Sequence, residues 1–315
     1  MCSMQTIMDM LFGNKSKDID EKVYLKIKDS YELCLKLIWI EEKFNIVKDN
    51  YYEWEEEMQK SYDFLISVQN SDSNCNQTIK KHGIAEIVTL NRRIINVLNS
   101  IRMYRDQVLH DLSGINPDYK VRFEKKTNEL YDSSYAYQLL ELLRNYTQHQ
   151  GLFIDRITVH IPFNKRINKE LWYFVESDFQ NLKKVDKYHT KIKIKPDVDN
   201  KCKWINIVGV VREYIDKYVI LHEEFRKITQ EDYVQALKIL EDEILKLLGD
   251  FPPKIAFYGK EDFLFQKEYL DKLKEIRSKK VLVDSSKFYI EKNTYLDADK
   301  IRVSNAVKYT FIYNS

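Results

Sequence analysis

The chain has 315 residues, of which 44% are hydrophobic and 32% charged, and its formal net charge is +2. These proportions exclude a disordered chain, and the near balance of charge excludes binding to nucleic acid through a global excess of positive charge. No apolar run reaches the ~18 residues of a membrane helix, and residues 1 to 10 carry Asp9 with no basic cluster, so neither a membrane span nor a secretory signal is expected.

Only 7 glycines and 5 prolines interrupt the chain, which predicts long elements, chiefly helices. Residues 20 to 68 place Val23, Ile27, Cys34, Ile38, Phe44, Tyr51, Trp54, Met58 and Leu65 at helical spacing. Within them the acidic run 51 to 58 reads as a solvated face over a core stripe. A turn-rich stretch at 70 to 74 follows. A second long helix is predicted over 85 to 112, stopping near Gly114 and Pro117, and a third helical region over 118 to 150, with a break near Asp132-Ser133-Ser134 and a stop at Gly151. The pattern then changes. Residues 155 to 163 alternate Ile157, Val159 and Ile161 with polar side chains and read as a strand, as do 188 to 195; the stretch between, 168 to 185, reads as a helix. Residues 205 to 248 read as helical, with Thr229 and Asp232 as a capping arrangement and Gly249 as a stop. Short strands at 254 to 259, 279 to 284, 287 to 292 and 306 to 312, with one helix at 261 to 277, complete the chain. The expected fold class is α+β: an all-α domain over 1 to 152, then a mixed α+β domain over 153 to 315.

The stretch "ELLRNYTQHQG", residues 141 to 151, runs from an apolar helical segment into Arg144, Asn145, Tyr146 and His149 just before a glycine. Arginine grips phosphate oxygens through paired N–H groups, and histidine moves protons near neutral pH. The bland alternative is a polar helix end, since the macrodipole alone favours both cations there. Five residues of helix turn the two side chains about 140° apart, so they meet on one phosphate only if the helix is distorted or a second copy of the chain completes the site.

Arg, four to six residues, then His, with a polar residue after the arginine, resembles the signature of the HEPN superfamily. The run 131 to 151 is also similar to bacterial proteins carrying a Leu-Arg-Asn-Tyr…Gln-His segment. The resemblance covers at most residues 85 to 151. It implies an all-α domain that pairs as a homodimer with both Arg–His sets in one cleft. It further implies a metal-independent endoribonuclease that leaves a 2′,3′-cyclic phosphate, of the kind found in toxin–antitoxin and anti-phage systems, where a regulatory partner or antitoxin restrains it. The residues it points to are Arg144, Asn145 and His149, with Tyr146 placed to stack on a base. A second match, Arg105 to His110, lies on the preceding helix and is the second-choice pair. The rival expectation is a non-catalytic HEPN-like protein that dimerises or binds nucleotide or RNA.

A lysine stripe, Lys191, Lys193 and Lys195, would share one face of the strand expected at 188 to 195; it suits an RNA backbone or guards a sheet edge. Cys2, Cys34, Cys75 and Cys202 form no Cys-x-x-Cys or Cys/His cluster, and no His-Glu-x-x-His occurs, so no metal site is expected. No glycine-rich phosphate loop is present, and no cofactor is expected. Scattered cysteines fit reduced thiols and a cytoplasmic location.

Overall fold

Apolar residues at three- and four-residue steps dictate most of the structure, because a helix that carries such a stripe must bury it. The computed structural model describes residues 4–8, 16–69, 75–162, 172–185, 187–194, 203–257, 261–283 and 306–312. In chain order the elements are β1 (Met4–Met8), β2 (Ser16–Ile19), α1 (Glu21–Gln69), α2 (Cys75–Ile115), α3 (Pro117–Asp132), α4 (Tyr135–His149), β3 (Arg156–Pro162), β4 (Trp172–Asp178), α5 (Phe179–Leu182), α6 (Tyr188–Lys191), β5 (Trp204–Asn206), α7 (Ile207–Ile228), α8 (Gln230–Leu248), β6 (Lys254–Phe257), β7 (Phe263–Gln266), α9 (Lys267–Ser278) and β8 (Ala306–Ile312). The fold is α+β, as expected. The described residues from α1 to α4 are helical, and strands and helices mix after that. The short strands β1 and β2 ahead of α1 are an addition to the expected pattern.

The chain falls into two compact units, neither continuous in sequence: Met1–Asn45 with Asp106–Glu124 and His222–Val281, and Ile46–Arg105 with Lys125–Leu221 and Leu282–Ser315. Residue 152, expected to close an all-α domain, lies inside the second unit between α4 and β3.

The first unit holds an antiparallel sheet ordered β2-β1-β6-β7. Tyr24 and Tyr31 of α1 pack their rings on Phe263 of β7. Its polar centre is Glu41, which is buried. The carboxylate meets His222 Nε2 at 2.8 Å and Arg226 Nη2 at 2.7 Å, and Arg277 Nε lies 3.4 Å away. Burial by itself would push this carboxyl up, but the hydrogen bonds and charges of His222 and Arg226 hold it at about 2. An ionised Glu41 only accepts, so His222 Nε2 carries the hydrogen between them.

The second unit holds an antiparallel sheet ordered β5-β4-β3-β8. Arg156 and Glu176 face each other in register and form a buried two-pronged ion pair, with the guanidinium 3.9 Å over the Trp204 ring. Tyr51, Trp54 and Met58 are buried as their spacing requires, but Glu55 of the acidic run is buried with them. It is no solvated face residue: Arg212 grips both its oxygens at 2.7 and 2.8 Å, and the Tyr51 hydroxyl donates to it at 2.6 Å.

Several expected elements change type. Residues 172 to 178 form a strand rather than a helix because Tyr173, Phe174 and Val175 are all buried, which suits a strand covered on both faces. The strand expected at 188 to 195 is the four-residue helix α6 followed by 192 to 194. The amides of Lys193 and Ile194 are taken by the Gln138 side chain at 2.7 and 3.1 Å and have no ladder to join. The helix expected from 261 begins at Lys267, after β7. Thr229 does separate α7 from α8, yet its hydroxyl bonds back to Phe225 O at 3.0 Å and makes no capping bond to α8. Residues 281 to 283 have no regular structure, and the strand expected at 287 to 292 lies outside the described residues. The stop at Gly249 is present, with φ 77°.

Glu41→Gln is expected to cost about 3–5 kcal/mol at neutral pH, because it strips the partner from buried cations. The wild-type contribution is complete above pH 4.5 and is lost as pH falls toward about 2, the folded-state value. Denaturant unfolding across that range should therefore show a steep acid limb in the wild type and a flatter one in the variant.

Candidate phosphate- and base-binding clefts

The site depends on how α4 begins and ends. Ser134 caps it, accepting the Tyr137 N–H at 3.1 Å while its own hydroxyl donates to Glu213 at 2.6 Å. Eight of its first nine residues, Tyr135 to Leu143, are buried; Glu141 alone among them is not, and the last turn emerges with Asn145, Gln148 and His149 exposed. α4 is regular throughout, so Arg144 and His149 diverge as helical geometry requires.

His149 opens onto a cleft of about 440 Å³, which Asn145, Tyr146 and Gln150 also line. Arg102 of α2, Tyr131 of α3, and Lys187 and Lys191 at α6 line it as well. Arg144 is not among the lining residues. Its Nη1 donates to Asn145 Oδ1 at 3.1 Å, and its Nε is buried with no partner among the described residues. Arg144 therefore touches the cleft only through Asn145.

Three cations against one carboxylate make the cleft positive. That carboxylate is Glu141, and it is already engaged: Tyr214 donates to it at 2.7 Å, Arg105 at 3.1 Å, and Arg102 stands 3.8 Å away. Gln138, buried at 0% exposure, closes one corner by donating to Tyr131 O at 2.9 Å and accepting from Lys193 and Ile194. Lys187 takes the left-handed conformation, φ 65°, the only non-glycine residue to do so among the described residues. This turn lets the chain enter α6 with Lys187 and Lys191 both on the cleft.

The other expected residues fall elsewhere. Arg105 is drawn to Glu141 and so acts on the cleft from behind its wall. His110 is exposed, its Nδ1 3.4 Å from Asp111. The expected lysine stripe is corrected: Lys191 ends a helix and lines the cleft, whereas Lys193 stands 3.7 Å from Asp132. Lys191 closes the last turn of α6 and Lys193 follows it outside any strand, so no ladder aligns them as a stripe; Lys195 lies outside the described residues. Arg102, Glu141 and Gln138 escaped the sequence reading, since nothing local distinguishes them from ordinary helix residues. Lys187 lies four residues ahead of the expected stripe and was not part of it.

A second cleft of about 410 Å³ adjoins the first, and Tyr146, Gln150 and Val185 line both. Its floor is the connection from α4 to β3. Asn91 of α2 accepts the N–H groups of Phe153 and Ile154 at 3.3 and 3.1 Å and donates to Ile154 O at 2.9 Å. Ser177 donates to Phe153 O, and Asp155 N–H to Glu176 O at 3.0 Å. Asp155 lines this cleft; burial pushes its carboxyl up to about 6, against a bond from Asp178 N–H that lowers it.

Among the described residues no three His, Cys, Asp or Glu side chains are placed to hold a metal ion, and no helix is long and apolar enough to cross a membrane. No family model, curated protein or solved structure matches the chain.

Lys187→Gly is expected to hold stability within about 1 kcal/mol, since the glycine relieves the left-handed strain but loosens the unfolded chain. It should nonetheless weaken phosphate binding, measured by titration calorimetry. Lys187→Val should instead destabilise by about 1–2 kcal/mol in thermal unfolding, because a β-branched residue resists positive φ.

Proposed function

We propose that the chain is a metal-independent endoribonuclease of HEPN type, with His149 as the proton-transfer group. The observation that carries this reading is the exposed imidazole of His149 beside Asn145 and Tyr146 in a cleft bearing Arg102, Lys187 and Lys191. RNA cleavage without a metal needs a base for the 2′-hydroxyl proton and cations for the phosphorane charge. His149 supplies the first. The three cations supply a phosphate grip within one chain, and Tyr146 offers a ring for a base. Asn145, fixed by Arg144, would orient the phosphate. Arg144 itself would reach a phosphate only across a homodimer, where a second copy brings its own α4. His149 takes the 2′-hydroxyl proton as the 2′-oxygen bonds to phosphorus; the P–O5′ bond breaks, the 5′-oxygen takes a proton from solvent and leaves as a 5′-hydroxyl, and a 2′,3′-cyclic phosphate remains. Such an enzyme fits anti-phage defence or a toxin–antitoxin pair in the cytoplasm, with an antitoxin or other regulatory partner holding it in check.

One observation favours a second reading, a non-catalytic nucleotide- or RNA-binding protein: Arg144 does not line the cleft that His149 opens onto. The full chain incubated with bulk RNA in EDTA separates the two. Cleavage is expected, with His149→Ala lowering its rate about 10²–10⁴-fold while RNA binding persists. Equal cleavage by the wild type and His149→Ala would end the assignment of His149. Binding with no cleavage by any form would favour the second reading. Arg144→Ala should lower cleavage even where sedimentation shows the dimer intact, since its guanidinium would reach the phosphate across that dimer.

A further inference from the structure

The two adjoining clefts differ in chemistry in the way the two ends of a nucleotide do. The first carries Arg102, Lys187 and Lys191. The second has one charged lining residue among the described residues, Asp155, set among backbone groups, Gln150, Asn181 and a few apolar side chains. Tyr146 stands between them, half-buried, as a stacking surface common to both. Phosphate belongs with the cations. A base needs a ring to stack on and a few fixed polar groups; Tyr146 offers the ring, and the second cleft, whose exposed lining is more polar than apolar, offers Asp155, Asn181 and backbone groups.

We propose that the second cleft is a base-binding subsite that selects guanine, with Asp155 as the reading group; this rests on the first cleft's taking RNA phosphate. Asp155 Oδ2 accepts the Asp178 N–H at 2.7 Å, which fixes the carboxylate and leaves Oδ1 for a ligand. A carboxylate only accepts, so it selects a base edge with adjacent donors. Guanine presents N1–H and the N2 amino group side by side. Adenine and cytosine each offer an amino group beside a ring acceptor that would face the carboxylate, and uracil offers one N–H between two carbonyls. Asn181 lines the same cleft; its Oδ1 takes Lys184 Nζ at 3.2 Å, and its amide N–H groups suit guanine O6. The floor beneath is held by the bonds of Asn91, so the slot is formed before a ligand arrives.

The test is calorimetric titration of the full chain with GMP, IMP, AMP, CMP and UMP at pH 7.5. GMP should bind tightest. IMP, which lacks the N2 amino group, should bind about tenfold or more weaker, the loss of one hydrogen bond to a charged group. Asp155→Asn should abolish the GMP preference while AMP affinity stays within about twofold of wild type. The IMP comparison uses the wild-type chain alone and stands even if the variant fails to fold. Equal affinity for all five nucleotides overturns the guanine subsite and leaves the phosphate cleft intact. Preference for GMP that survives Asp155→Asn overturns the role of Asp155. Binding of none overturns the subsite altogether, whereas the ribonuclease reading is decided separately by the cleavage assay on His149.

Discussion

The carboxylate of Glu141 is the interaction on which the candidate site rests. It sits where α2, α4 and α7 each send a side chain: Arg102 and Arg105 from the first, Glu141 from the second, Tyr214 from the third. Removing a carboxylate from water costs several kcal/mol unless hydrogen bonds replace the water. Here a tyrosine hydroxyl and a guanidinium replace it. The Tyr214 hydroxyl keeps its proton well above the ordinary range, first because it is buried and then because Glu141 is negative, so it remains a donor. Tyr137 and Tyr218 extend the polar network inward with a 2.9 Å bond between their hydroxyls. The consequence for the cleft is that its one lining carboxylate among the described residues is engaged by Tyr214 and Arg105, which do not line it.

How much of this was legible depends on where the information lies. The long helices were readable because their apolar stripes repeat over dozens of residues: Ile27, Cys34, Ile38, Phe44, Tyr51, Trp54 and Met58 are all buried. The break at Asp132-Ser133-Ser134 and the stop at Gly249 were readable because each is a local chemical event. Residues 172 to 178 were misread because a run buried on both faces has no alternation to betray a strand. Residues 188 to 194 were misread for the opposite reason. Their alternation is real, but a distant side chain, Gln138, takes the amides a strand would have used.

The same division holds at the site. His149, Asn145 and Tyr146 were legible because they sit together on one helical turn next to Arg144. The groups they face come from α2, α3 and the residues around α6, scattered over more than eighty positions of chain. No spacing rule links Arg102 to Lys187; packing alone does. Asp155 was equally hidden: its neighbours suggested only the start of a strand, and its chemistry depends on Asp178, on the next strand of the sheet.

Gln138 has a consequence for how this chain can vary. Its primary amide donates at one atom and accepts twice at the other, fully out of solvent. Glutamate keeps the acceptor and forfeits the donor, with a charge nowhere near water. Lysine keeps a donor and forfeits both acceptances. Methionine matches the length and offers neither. Asparagine has the right group one methylene short. Across the twenty side chains, position 138 therefore has almost no neighbours, and drift in this wall of the cleft must run through paired changes at several positions rather than single ones.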